Sequence, residues 1–552
     1  MHQPLRSLLA CSLVIAVAQG ASAEEAGQKS YYSSKTPYHP QQDSATYEAP
    51  PAGFVPVFTQ LVARHGSRGL SGVKYDMAML NIWNKAQAEG ALTPLGAQLG
   101  PDILKLMRAN ALLGDGVDGI SQPGYGNLSR VGIGEHVQLA QRLRQRLAPL
   151  FTQAAASAAG QPRHILVVSS GVNRARDSAS NFTRSLVADS PALASLVQQP
   201  AAPAPYPAGA PLAQPAGTDR FTLHFHSLDK ARDLVLDPAD PRYQVYQDSQ
   251  AYQAYLASPA YEARLAAIDT DPQARAVGRI VLERLFSKSF VDKIDSGAYR
   301  FTSEGALTFT SDDGKLVRTV KGKGTAAVGS LADAASMLYN LYIIAPGLRQ
   351  DVAIDFDKYM PPGQARHLAY LADLETFYKE GPSFTESGGV TYRMAQGLQD
   401  DFFAEVDAIE KGNLAHLAKL RFAHAEIVIP FVTGLGIAHA ATPLPAALTY
   451  SYANNPWRGE EVAPMAANVQ WDVLRNAEGR VLVRMLLNEK ETAFKPACDG
   501  ARIAPASRYY DYTRLKACYG RAAVPRQAGI PAAPASRSTT NAEYALTLAA
   551  KQ

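Results

Sequence analysis

The sequence predicts an α/β fold: a sheet with helices on both faces, plus an inserted, mostly α-helical domain. Three observations predict it. Short apolar runs at 54–63, 165–169 and 420–423 are each followed, at once or after a short gap, by a helical pattern. The long stretch 231–414 lacks such runs and reads as one helix after another, rich in Ala, Tyr, Leu and charged residues. The chain is 47% hydrophobic and 19% charged over 552 residues, an ordinary globular balance with ample material for a large core.

Taken in order, residues 1–23 read as an export leader. Arg6 supplies the positive end, 8–18 the apolar core broken only by Ser12, and Ala21-Ser22-Ala23 a small-x-small cleavage site. That apolar run is too short to span a bilayer, which takes about 20 residues, and no later segment reaches that length. The mature chain is therefore expected in the periplasm or outside the cell, with no membrane partner. Residues 24–50 are polar and read as an extended lead-in. A buried strand is expected at 54–63 and a helix at 76–88. A second strand at 165–169 leads into a helix at 174–187, and the Pro/Ala-rich 198–217 reads as a surface loop. Helices are expected at 252–268, 274–290, 332–343, 366–379 and 398–410. A strand at 420–423 precedes an apolar helix at 427–435, and a fourth strand covers 481–487. Residues 521–552, rich in Ala, Pro, Ser and Thr, read as a loose tail. This assigns 51–75, 128–230 and 415–520 to the α/β domain, and 76–127 and 231–414 to the helical one.

Formal net charge is +4, and loss of Arg6 with the leader leaves +3. That excludes a global polycation and gives no sign of a nucleic-acid partner. Of three cysteines, Cys11 leaves with the leader. Cys498 and Cys518 are an isolated pair, which in an exported chain favours a disulfide over two buried thiols.

Three motifs carry chemistry, and each directly follows a strand. Arg64-His65-Gly66-Ser67-Arg68 comes first. Phosphoryl transfer needs a nucleophile and fixed positive charge around the phosphate oxygens. A neutral imidazole can attack phosphorus, flanking arginines can clamp the oxygens, and glycine lets backbone approach the phosphate. In the second, His424-Ala425-Glu426, Glu426 suits a general acid for the departing alkoxide, and His424 a phosphate contact. The third, Ser169-Ser170-Gly171-Val172-Asn173-Arg174, offers another guanidinium. Arg174 is preferred to Arg176, whose alternative is a solvent-facing helix position. At the carboxyl ends of sheet strands, all three would open into one crevice.

These motifs resemble the histidine acid phosphatase superfamily, in the branch that contains phytases. Arg-His-Gly-x-Arg is that family's signature, and His424-Ala425-Glu426 is similar to the variant of multiple inositol polyphosphate phosphatases. Leu128-Ser129-Arg130-Val131-Gly132 resembles the family's Leu-Thr-x-x-Gly element, and 169–182 its strand–turn–Arg–helix element. The resemblance implies that His65 forms a phosphohistidine, that Arg64, Arg68, Arg174 and His424 bind the scissile phosphate, and that Glu426 donates a proton and then assists water. It implies no cofactor and no metal, and a small phosphorylated substrate such as an inositol polyphosphate; a monomer is expected. One departure is that the family often has proline two residues after the second arginine, where this chain has Leu70. That puts leaving-group preference in doubt.

Lys74 follows the first motif closely enough to meet a second substrate phosphate, or to be merely solvated. The basic run Lys315, Arg318, Lys321 and Lys323 reads as a solvated face, and His224-Phe225-His226 lacks a third ligand for a metal. Three other readings stay open at this stage: a broad-specificity acid phosphatase, a phosphomutase, and a non-catalytic phosphate-ester binding protein.

Overall fold

The computed structural model describes residues 30–201, 215–224, 238–239 and 242–521. The leader 1–23, most of the Pro/Ala-rich loop, His226 and the tail from 522 onward lie outside the described residues.

The central sheet has eight strands: β1 (Val55–Arg64), β2 (His164–Ser169), β3 (Val197–Gln198) and, beyond a separate hairpin of β4 (Phe301–Thr310) and β5 (Val317–Val328), β6 (His416–Ala423), β7 (Asn468–Arg475), β8 (Val481–Leu487), β9 (Lys490–Thr492) and β10 (Tyr509–Asp511). Their order is β10-β8-β7-β1-β6-β2-β3, with β9 on β8. Neighbours from β1 to β3 are parallel, and those from β1 to β10 antiparallel. The register sets where the strands end. Arg64 stands opposite Ala423, and Ser169 opposite Phe422. Three parallel strands therefore end level, and the loops that leave them emerge on one rim.

The first five α-helices among the described residues are α1 (Tyr75–Ala88), α2 (Pro94–Ala111), α3 (Arg130–Arg146), α4 (Ala148–Ser157) and α5 (Asn173–Val187). Capping explains two of the starts. Thr93 accepts from the Gly96 amide with Pro94 in the first turn, and Ser129 accepts from the Gly132 amide. Side chains on β1 alternate between two cores. Phe58 and Val62 join the one that holds the helix Ala425–Gly434, while Leu61 and Ala63 join the one built from α3, α4 and α5. Helices thus cover both faces. A third core gathers α1, α2, Pro272–Glu283 and Leu331–Ile344.

Two differences from the sequence reading have physical reasons. The strand expected at 420–423 begins at His416. Lys419 and Arg421 interrupt its apolar run, but each is neutralised: Lys419 pairs with Asp401 and Glu405, and Arg421 with Asp401. The helical stretch also holds the β4–β5 hairpin. Its apolar Phe301, Leu307 and Phe309 are only partly buried, so the period-two signal is weak. The basic run lies on β5 and the turn before it, with Arg318, Lys321 and Lys323 exposed. Among the described residues no helix is long and apolar enough to cross a membrane.

Cys498 and Cys518 are joined, linking the turn Pro496–Ala501 to the helix Tyr512–Cys518. Closing a loop of this length restricts the unfolded chain, so Cys498→Ser should cost about 2–4 kcal/mol in chemical denaturation. Equal stability of variant and parent would contradict it.

Candidate active site

The loop after β1 is held by its neighbours before any ligand is considered. The His65 amide donates to Ala423 O at 2.9 Å, and the Ala466 amide to His65 O at 3.1 Å. The start of α3 braces the loop from the other side. The Ser129 amide and hydroxyl both donate to Ser67 O, at 2.9 and 3.0 Å. Glu135 accepts from the Ser67 amide at 2.6 Å and the Ser67 hydroxyl at 2.7 Å, and also from the Tyr38 amide. A Cβ on Gly66 would stand 2.5 Å from Gly132 O, and one on Gly132 would stand 2.1 Å from Ser67 O. Gly66 is therefore needed for backbone contact with α3, a reason the sequence reading did not give. Leu128–Gly132 is the other half of that contact.

This brace fixes the state of His65. Its Nδ1 lies 2.9 Å from Gly66 O, and a carbonyl only accepts, so Nδ1 carries the proton. Nε2 is left with its lone pair. Burial pushes the imidazole well below its ordinary pKa, and Arg174, Arg64, His424 and Arg68 push the same way. His65 is thus a neutral nitrogen base amid positive charge.

The arginines are crowded around it. Arg64 is buried, and its Nη1 donates to Ala463 O at 2.6 Å, to Pro464 O at 3.2 Å and to Ser34 O. Burial lowers Arg64 to about 10 and Arg68 to about 9; Arg174 is also lowered, again chiefly by burial. The Nε groups of Arg64, Arg68 and Arg174 are buried and have no hydrogen-bond partner among the described residues. Orphaned charged donors of this kind call for an anion.

His424 follows β6 and sits at the start of the helix Ala425–Gly434. Its ring centroid is 5.4 Å from that of His65. Arg174 Nη2 donates to Nδ1 at 3.2 Å, which leaves the Nε2 proton to Ser170 Oγ at 2.8 Å. Burial and the neighbouring cations, opposed by Glu426, bring this histidine down to about 3. Glu426 lies in the first turn of the same helix and is only partly buried. Arg176, by contrast, is exposed on α5. Lys74 is exposed at the start of α1, its Nζ 5.1 Å from the Tyr75 ring.

Four members of this neighbourhood were not placed in it by the sequence reading. Ser170 accepts the Nε2 proton of His424. The His224 ring lies 4.9 Å from His424, the two planes tilted by 34°. Lys35 comes from the lead-in and feels Arg64, Arg68, Glu380 and Glu426. Glu380 closes the helix Pro362–Lys379, and burial, with the charge of Glu426 next, raises its pKa to about 7. Neither Lys35 nor Glu380 belongs to a motif or an apolar period, so nothing local marked them. Among the described residues no group of three or more His, Cys, Asp or Glu side chains is arranged to hold a metal ion.

No family model matches the chain. Solved structures of a Bifidobacterium longum multiple inositol polyphosphate phosphatase do. The apo form has 32% identity and a TM-score of 0.77, covering 90% of this chain and 99% of that one. The complex with inositol hexasulfate has 31% identity and a TM-score of 0.75, with the same coverage. The complex with phosphate has 30% identity and a TM-score of 0.76, covering 91% of this chain and 100% of that one. A phytase from D. castellii shares the fold at 13% identity and a TM-score of 0.56, covering 89% and 85%.

The departure at Leu70 has a local reason. Its amide donates to Asn110 Oδ1 at 2.7 Å, which ties the end of the loop to α2. Proline has no amide proton to give. Leu70→Pro should leave a buried acceptor unmatched and lower stability by about 1–3 kcal/mol, measured by denaturant unfolding. An unchanged midpoint would show that this bond contributes nothing.

Proposed function

Because this chain belongs to the phytase branch of the histidine acid phosphatase superfamily, we propose that it hydrolyses phosphate monoesters through a phosphohistidine on His65, with inositol polyphosphates as the substrate class. One observation carries this reading. A neutral imidazole with its lone pair on Nε2 is surrounded by three guanidinium groups whose buried Nε donors are unmatched among the described residues. Such a pocket has the charge and donors for a phosphate dianion and a nucleophile ready beside it.

In the first step Nε2 of His65 forms a bond to phosphorus while the bond to the ester oxygen breaks. Arg64, Arg68 and Arg174 hold the phosphoryl oxygens and balance their charge. Glu426 gives its proton to the departing alkoxide, which leaves as an alcohol. In the second step water attacks phosphorus, Glu426 takes back a proton, the P–N bond breaks, and inorganic phosphate leaves. His424 keeps Arg174 in place through Nδ1, so it acts on the phosphate partly through that arginine. An export leader places the reaction in the periplasm or outside the cell. The substrate class rests on the aligned Bifidobacterium longum phosphatase, whose structure holds inositol hexasulfate.

Replacement of His65 by Ala should lower kcat by at least about 10³-fold, and Glu426→Gln by about 10²–10⁴-fold, with hydrolysis persisting in EDTA. Acid-labile phosphate on His65 should be trapped by rapid denaturing quench and seen by mass spectrometry. Turnover by the His65→Ala protein, or loss of all activity with chelator, would end this mechanism.

Glu380 gives a pH dependence. The charges that act on it are Glu426, Lys379, Lys35 and Glu375, and its pKa is raised to about 7, mostly by burial. Below that pH it is neutral; above it a negative charge enters the pocket. His65 and His424 are both depressed, His424 to about 3, and stay neutral throughout. Affinity for inositol hexasulfate, whose charge is constant, should therefore weaken as pH rises through about 7, by up to about tenfold per unit. Calorimetric titration of Glu380→Gln should lose this slope; a slope kept in that variant would assign the titration elsewhere.

A further inference from the structure

We propose that Asp373, buried on the helix Pro362–Lys379, is a positioning residue for the phosphate site: it holds together the two chain segments whose carbonyls orient the Arg64 guanidinium. This rests on the phosphatase reading above and adds a residue of the helical domain that acts on the transferred phosphate through Arg64.

The carbonyls come from two places far apart in sequence. Arg64 Nη1 donates to Ser34 O in the lead-in turn Ser33–Lys35, and to Ala463 O and Pro464 O just after the short helix Gly459–Val462. With Nη1 engaged there, the Nε edge of the guanidinium is left for an anion, and Nε has no partner among the described residues. The direction of that edge depends on where the three carbonyls stand. The Met465 amide ties the two segments directly, donating to Thr36 O at 2.9 Å.

Asp373 joins them again with its two carboxylate oxygens. Oδ1 accepts from the Ser33 hydroxyl, and Oδ2 accepts from the Gly459 amide at 3.2 Å and from the Tyr452 hydroxyl at 2.8 Å. Ser33 directly precedes the residue that offers the first carbonyl, and Gly459 opens the helix that leads to the other two. The approach is close enough to require glycine: a Cβ at position 459 would stand 2.5 Å from Asp373 Oδ1 and 2.9 Å from Ser33 Oγ. Ser33 has a φ of 49°, a left-handed conformation unfavourable for a residue other than glycine, so the turn keeps its shape only where contacts impose it. Asp373 supplies one of those contacts. Its own helix is anchored on two sides. Leu374, Phe377 and Tyr378 pack into the core of the helix Ala425–Gly434, and Ala365, Leu368 and Ala369 into that of α1 and α2.

The test is a double-mutant cycle in the full chain, read as kcat/KM for 4-nitrophenyl phosphate. Asp373→Ala should lower kcat/KM by about 10–100-fold, and Asp373→Asn, which keeps one acceptor oxygen, should recover part of that loss. In an Arg64→Lys background Asp373→Ala should cost less than about threefold, because an ammonium has no planar edge to aim. An equal loss in both backgrounds overturns the proposal, since a purely structural defect would add to the change at Arg64 rather than vanish with it. Unchanged kcat/KM in Asp373→Ala overturns it as well. If the unfolding midpoint shows that Asp373→Ala folds poorly, Ser33→Ala, which removes one hydroxyl, takes its place in the cycle with an expected loss of about three- to tenfold. If the parent hydrolyses no phosphate ester, the phosphatase reading fails, and the same cycle read as calorimetric affinity for inorganic phosphate still decides the role of Asp373.

Discussion

Three guanidinium groups packed around an uncharged imidazole set the terms for everything near them. Like charges in a buried pocket repel one another, and burial itself opposes each charge. The cluster persists because the chain opposes that repulsion on several sides. Arg64 directs one nitrogen at three main-chain carbonyls, Arg174 leans on His424, and Arg68 reaches Gly69 O. Each of the three keeps a buried Nε donor unmatched among the described residues. Burial first, and then the same field, keep His65 neutral, so the crowding that makes the pocket electropositive also helps to maintain the nucleophile.

Scaffolding for this cluster comes from backbone contact more than from side chains. Gly66 and Gly132 allow the loop after β1 to press against the start of α3, and Ser67 is gripped by Ser129 and Glu135. The level ends of β1, β6 and β2 place His65, His424 and Ser170 side by side. Neutralised Lys419 and Arg421 let β6 run through the interior between them. The rim is thus braced by hydrogen bonds where the chemistry is proposed, while Lys35 and Glu380 come from other segments, the turn Ser33–Lys35 and the end of the helix Pro362–Lys379.

Much of this was legible in the chain because it is local. In the second and third motifs a strand, a turn and a helix start lie within a few residues of each other, and each of the three motifs carries its charged groups in one short run. The identity of the braces was less legible. Glu135 sits on an ordinary helical face, and its partner Ser67 lies 68 residues away. The β4–β5 hairpin was hidden because its apolar face is only half covered, which leaves a diluted alternation. Lys419 and Arg421 made a buried strand look short, since their partners on the helix Gln396–Glu410 cannot be inferred from the strand itself.

By itself the sequence determined the sheet with helices on both faces, the Arg-His-Gly-x-Arg and His-x-Glu groups at strand ends, and the arginine of the third motif. Those depend on periodicity and on residue types within one turn of chain. Only the tertiary structure decided that Nε2 of His65 holds the lone pair, that His424 has both ring nitrogens occupied, and that the lead-in reaches Arg64 through Ser34 O. The partners of His424 lie 250 or more residues away, and the His65 tautomer depends on where the folded loop turns the carbonyl of the next residue, so no local pattern encodes either.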